Sequence, residues 1–123
     1  MKQYQDEAKS RWGSTQAYQE SEDKTAHYTK EQWAQINREM DAIMLTFARY
    51  SKEGLTPESI PVQTAVAKWQ QFLTKYYYDC TKEIFAALGR MYAADERFKA
   101  NIDRYGDGTA ELLAAGIEIF CKK

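Results

Sequence analysis

A chain of 123 residues and 14.3 kDa is sized for one compact domain and buries about two-thirds of its unfolded surface, so it forms a core without a metal or disulfide staple. Apolar residues at 44%, charged ones at 28% and only two prolines exclude a disordered tail. Basic and acidic residues number 17 and 18 and are interspersed, so the net charge is -1 and no basic stripe offers a footprint for nucleic acid.

The apolar residues recur at helical intervals nearly everywhere, and no segment shows the alternation of a strand, which predicts an all-α domain. Residues 2–27 are polar, with Tyr4, Trp12 and Tyr18 thinly spread and a break at Gly13-Ser14. One helix ending near Trp12 and a second starting at Ser14 or Thr15 fit this segment, supported by the i,i+4 pairs Glu7/Arg11 and Glu20/Lys24. With so weak an apolar stripe, these helices depend on docking or on a ligand for order.

Thr29-Lys30-Glu31-Gln32 reads as a capping box opening a long helix. Trp33, Ile36, Met40, Ile43, Phe47 and Tyr50 then place six side chains on one face, and Gly54 ends the helix. Thr56 or Ser59 caps the next helix, with Pro57 or Pro61 in its first turn, and Val62, Val66, Trp69, Leu73 and Tyr76 form its buried stripe. Thr81 is the expected N-cap of a helix presenting Ile84, Leu88, Met91 and Tyr92. Asp95 caps a short helix carrying Phe98, Ile102 and Tyr105. The turn Gly106-Asp107-Gly108-Thr109 leads into a last helix with Leu112, Leu113, Ile117 and Phe120. Six or seven unequal helices joined by short turns point to an irregular globular domain rather than an up-down bundle.

The catalytic inventory is thin. The sole histidine, His27, lies on the polar N-terminal segment and reads as a surface imidazole, which leaves no partner for a nucleophilic triad and no axial ligand for a haem. No phosphate-binding glycine loop occurs, and Cys80 and Cys121 are too far apart for a metal knuckle or a redox pair. The reading is therefore a binding module with no cofactor and no metal, not an enzyme. No apolar run approaches the ~20 residues of a membrane span, and Met1 to Glu7 lack the layout of a secretory signal, so the chain is expected to be soluble and cytoplasmic, without a membrane partner.

The aromatic content of 14% is what stands out. On a helix, Tyr76-Tyr77-Tyr78 would fan their rings through about 200°, wider than a buried stripe, so at least one faces solvent or a cavity. With Trp69 and Phe72 one to two turns earlier, this helix end is the best candidate wall of a ligand cleft. A core Tyr76 beside two ordinary surface tyrosines is the plainer alternative. Met40, Met44, Phe85, Met91 and Phe120 offer soft, adaptable surface, although their spacing assigns Met40 and Met91 to the core.

The residues together resemble a known family. Arg11-Trp12-Gly13, Thr15, Ala17-Tyr18, Ser21, Tyr28 to Trp33, Tyr78-Asp79-Cys80, Met91-Tyr92 and Ala94 to Phe98 are similar to the TipAS antibiotic-recognition domain of MerR-type drug-sensing regulators. The resemblance runs through the whole chain in order. It implies a globin-like helical fold without haem, in which residues 1–27 form a lid and residues 28–123 the helical core. It also implies a bulky hydrophobic or thiopeptide-like antibiotic as partner, with Trp12, Tyr28, Trp33, Trp69, Phe72, Tyr76, Tyr77, Asp79, Cys80 and Phe85 as the expected ligand-binding set. Regulators of the family carry an N-terminal helix-turn-helix and a coiled coil that this sequence lacks. The resemblance is thus to a free, drug-sequestering effector domain or to a fragment of a regulator, with no nucleic-acid contact of its own.

Where the thiostrepton-responsive member has a His and then a nucleophilic Cys, this sequence has Phe85 and Ala87, so covalent capture by that nucleophile does not carry over. Cys80 matches the motif's other cysteine, and a thiol at a helix start can have a lowered pKa. The alternative from a different class is a protein-interaction or dimerisation domain that uses the aromatic groove to receive a helix.

Overall fold

The computed structural model describes residues 16–122. The expected helix near Trp12 and the Glu7/Arg11 pair lie outside them. The described chain forms six helices and no strand: α1 (Gln16–Thr25), α2 (Lys30–Lys52), α3 (Ile60–Tyr76), α4 (Lys82–Ala94), α5 (Glu96–Asp103) and α6 (Thr109–Cys121).

Local chemistry sets most of the boundaries. At the start of α2, Thr29 Oγ1 accepts from the Gln32 N–H (3.1 Å) while Gln32 Oε1 accepts from the Thr29 N–H (2.8 Å), completing the reciprocal box. The helix closes on a Schellman motif: Leu55 N–H donates to Tyr50 C=O and Gly54 N–H to Ser51 C=O, both at 3.1 Å, around Gly54 at φ 77°. Thr81 and Asp95 cap α4 and α5 by accepting from the N–H groups of Ile84 and Arg97. Ser59 occupies the N-cap of α3, but its hydroxyl donates backwards to Thr56 C=O (2.8 Å), so the backbone and Pro61 start that helix without a side-chain cap. At α6 the N-cap is Gly108 in the left-handed region, and the first-turn N–H of Ala110 is satisfied from a distance by the Asp103 carboxylate of α5 (2.9 Å).

The core is a single cluster. Ile36, Met44 and Phe47 come from α2, Val62, Val66, Trp69, Phe72 and Leu73 from α3, Phe85, Leu88, Met91 and Tyr92 from α4, and Leu112, Leu113 and Ile117 from α6. The α2 stripe is wider than the six-residue reading, because Met44 is buried while Trp33, Met40, Ile43 and Tyr50 only edge the core. Helices α4 and α6 pack most extensively. They do so because Gly89 lacks a side chain where one would strike Ile117: a Cβ there would lie 2.9 Å from Ile117 Cγ2. The pair runs antiparallel, with Phe85 against Phe120 (ring centroids 5.8 Å apart) and Cys121 Sγ 3.5 Å from Lys82 C=O.

Candidate functional site

The end of α3 organises the site. Trp69, Phe72 and Tyr76 follow one another at i+3 and i+4 and therefore share a face. Trp69 and Phe72 stack with centroids 5.2 Å apart and planes within 12°, and Phe72 meets Tyr76 edge-on at 5.2 Å. The helix then stops. Tyr77 leaves helical geometry (φ −121°, ψ −62°), so the three tyrosines do not fan around one helix as their spacing suggested. Instead the Tyr77 ring turns across the chain to lie 6.1 Å from Phe72 and 6.3 Å from Trp33. Tyr76, Tyr77 and Tyr78 are all half-buried, so neither the fan nor the plainer core-and-surface split describes them.

The opposite side of this wall comes from the start of α2. Tyr28 precedes the N-cap and Trp33 is the fourth helical residue, the two positions of a hydrophobic staple. Their rings meet at 5.3 Å and 86°. Tyr28 also sits edge-on to Tyr76 (6.4 Å) and its hydroxyl donates to Tyr76 C=O, one of the carbonyls left free at the end of α3. The Tyr76 hydroxyl in turn hydrogen-bonds the Glu39 carboxylate. Six of the ten expected site residues, Tyr28, Trp33, Trp69, Phe72, Tyr76 and Tyr77, are thereby joined ring to ring.

Helix α1 rests on the same helix end through polar contacts. Lys24 Nζ donates to Thr74 C=O (3.0 Å), and the Glu20 carboxylate accepts from the Asp79 N–H (2.9 Å). Charge signs suit the positions, since an ammonium meets the free carbonyls of a helix C-terminus and a carboxylate meets a backbone donor. The turn beneath is tied back on α3: Gln70 Nε2 donates to Cys80 C=O (2.9 Å), and Thr74 Oγ1 accepts from the Cys80 N–H (3.1 Å).

The remaining expected residues are placed differently. Asp79 is exposed and contributes its backbone. Phe85 is fully buried against Phe120 in the core and has no ring contact with the aromatic wall. Cys80 is buried at 3% exposure, and burial, with Cys121 and Asp79 nearby, pushes its thiol up to about 12. This is a correction to the expectation of a lowered pKa, because loss of solvent outweighs the nearby helix start. Trp12 lies outside the described residues. Burial likewise raises the Tyr28 and Tyr77 phenols, so these two rings stay uncharged at neutral pH.

Glu20, Lys24 and Glu39 were not singled out for the site from the sequence. Their only local signal is the i,i+4 pairing of the first two (Nζ to Oε2 4.0 Å), and for Glu39 its place one residue before Met40 on the buried stripe. Among the described residues no group of three or more His, Cys, Asp or Glu side chains is arranged to hold a metal ion, and no helix is long and apolar enough to cross a membrane.

Six unequal helices around one core, with a continuous cluster of rings where α3 ends against the start of α2, define an all-α domain. The model of the TipAS antibiotic-recognition domain matches residues 4–120, and the chain belongs to that family. It is similar to the HTH-type transcriptional activator TipA of Streptomyces coelicolor, at 38% identity over 115 residues, covering 94% of this chain and 46% of TipA. It is equally similar to the HTH-type transcriptional activator mta of Bacillus subtilis, at 37% identity over 118 residues, covering 96% of this chain and 45% of mta. The chain thus spans about half the length of these relatives. Its fold is similar to that of TipAS of Streptomyces lividans, solved with the thiopeptide nosiheptide (TM-score 0.89, 36% identity, covering 98% of this chain and 85% of the other). That match bears out the globin-like all-α class.

Proposed function

We propose that this domain captures a bulky, hydrophobic, peptide-like antibiotic on the wall formed by Tyr28, Trp33, Trp69, Phe72, Tyr76 and Tyr77, with the N-terminal segment through residue 27 acting as its lid and residues 28–123 as its helical core. The supporting observation is the continuity of the wall: half-buried Trp33, Tyr76 and Tyr77 present ring surface backed by buried Trp69 and Phe72. Such rings supply affinity to large ligands through burial, with little loss of side-chain freedom. Nosiheptide in the related TipAS complex supports the ligand class, and the helix-turn-helix activators among the relatives support a role as the ligand-sensing part of a MerR-type regulator or as a free drug-sequestering form. In either setting the domain binds and does not catalyse, leaves DNA to another domain, and works in the cytoplasm.

The way α1 is held supports lid closure: Lys24 bonds the backbone at the end of α3 and Glu20 that of the following turn, polar ties of the kind that local opening breaks first. A ligand that adds contact to both faces favours the docked arrangement. The test is titration with nosiheptide, read by tryptophan fluorescence and by hydrogen exchange of residues 1–27. Quenching with increased protection is the expected result. Absence of both for nosiheptide and for a panel of other bulky natural-product antibiotics overturns the proposal.

A further inference from the structure

Ring packing accounts for the face of Trp69 but not for its nitrogen. The indole stacks on Phe72, while Nε1, on a side chain only 6% exposed, has no hydrogen-bond partner. An indole nitrogen donates and cannot accept, and a buried donor left unmet is costly, so its solitude needs a reason. Carbonyls close by are engaged elsewhere. Leu73 C=O accepts from the N–H groups of Tyr77 and Tyr78 (2.9 and 3.1 Å), and Cys80 C=O accepts from Gln70 (2.9 Å).

The side chains around that nitrogen bring more protons. From α4 the Tyr92 hydroxyl faces the indole, and from the turn after α3 the Tyr78 hydroxyl lies near that of Tyr92. Tyr92 is buried and Tyr78 half-buried. Burial raises both phenols well above their ordinary value, so each keeps its proton at neutral pH. Because the indole cannot accept, the three groups satisfy at most two of their three protons among themselves. One donor is always left over.

We infer that Trp69 Nε1 and the Tyr92 hydroxyl form the polar inner end of the antibiotic site and receive an uncharged hydrogen-bond acceptor of the ligand, an amide carbonyl or a ring nitrogen. The inference rests on the capture reading above and adds what the captured molecule must carry. An uncharged acceptor fits because an anion without a counter-charge is far costlier to bury. A ligand with only hydrocarbon at this point leaves the donors unmet, so the rings hold many molecules and the donor pair selects among them. Tyr77 has already left helical geometry and Tyr78 stands on the turn, so rotation of these side chains opens the approach without moving a helix.

Titration of the 123-residue chain with nosiheptide, followed by NMR of its three isotope-labelled tryptophan indoles, tests this. Loss of one signal in Trp69→Phe assigns Trp69. On binding, its Nε1–H should move downfield and exchange more slowly with solvent. Tyr92→Phe should weaken nosiheptide about tenfold, the scale of one hydrogen bond, while the ligand-free melting temperature stays equal or rises. A hydroxyl that serves only the fold would do the reverse, lowering the melting temperature and leaving affinity unchanged. That outcome overturns the inference and leaves the capture reading standing, as does a Trp69 indole signal unmoved by saturating nosiheptide. No binding to the parent chain, seen as unchanged tryptophan fluorescence, counts against the capture reading and removes this inference with it.

Discussion

The Tyr28 hydroxyl donates to the main-chain carbonyl of Tyr76, 48 residues away, tying the entry to α2 to the exit from α3. This one bond satisfies a helix-end acceptor and fixes the edge of the aromatic wall. Tyr28→Phe keeps the staple on Trp33 and removes only the donor. We expect it to lower stability by about 1 kcal/mol, the usual worth of such a bond. Thermal unfolding read beside ligand affinity measures both effects.

Breaking the contacts of α1 should separate docking from folding. Glu20→Ala with Lys24→Ala removes the bonds to Asp79 N–H and Thr74 C=O while leaving the core untouched. The midpoint of global unfolding should shift little, because the contacts are partly exposed. Limited proteolysis within residues 16–27, in contrast, should accelerate severalfold. Equal protease resistance in the variant and the parent would show that other contacts hold the helix.

The two thiols should differ in reactivity. Cys80 is buried with its pKa pushed up to about 12, whereas Cys121 is half-buried and less perturbed. A thiol reagent at neutral pH is expected to label Cys121 first and to reach Cys80 only on unfolding. For Cys80, the neutral form is favoured in the folded state. Its contribution to stability is complete below the ordinary thiol pKa near 9 and falls as pH rises from there toward 12. Cys80→Ser should flatten that part of the alkaline stability profile.

Gly89→Ala tests the close packing of α4 on α6. Alanine gains up to about 1 kcal/mol of helix propensity over glycine, but its Cβ would stand 2.9 Å from the Cγ2 of Ile117, a fully buried and rigid side chain. Overpacking of this kind costs about 1 to 3 kcal/mol, so the variant should be less stable despite its better intrinsic preference. Adding Ile117→Ala removes the clashing atom, and chemical denaturation should then show a double variant more stable than the sum of the two single losses predicts.

What the sequence disclosed of this fold is what neighbouring residues decide among themselves. The box at Thr29 and Gln32, the caps at Thr81 and Asp95 and the stop at Gly54 are all closed within a few residues, and all were legible. The end of α3 was not, because no glycine or proline marks Tyr76; the helix stops where Tyr77 finds Trp33 and Phe72 in three dimensions. The Asp103 carboxylate on Ala110 N–H is hidden for the same reason, since it joins two helices. At the site, ring identity picked out six aromatics that the fold joins ring to ring, but periodicity cannot tell a half-buried ring from a fully buried one, so Phe85 looked like Tyr76 and Tyr77 yet packs against Phe120 in the interior.

Glu20 and Lys24 stand 4.0 Å apart on α1 as well as reaching the backbone of α3 and the following turn. Under the proposed lid closure, each of these charges keeps the other as a partner on leaving the backbone of α3 and its turn, so undocking strands neither in an apolar setting.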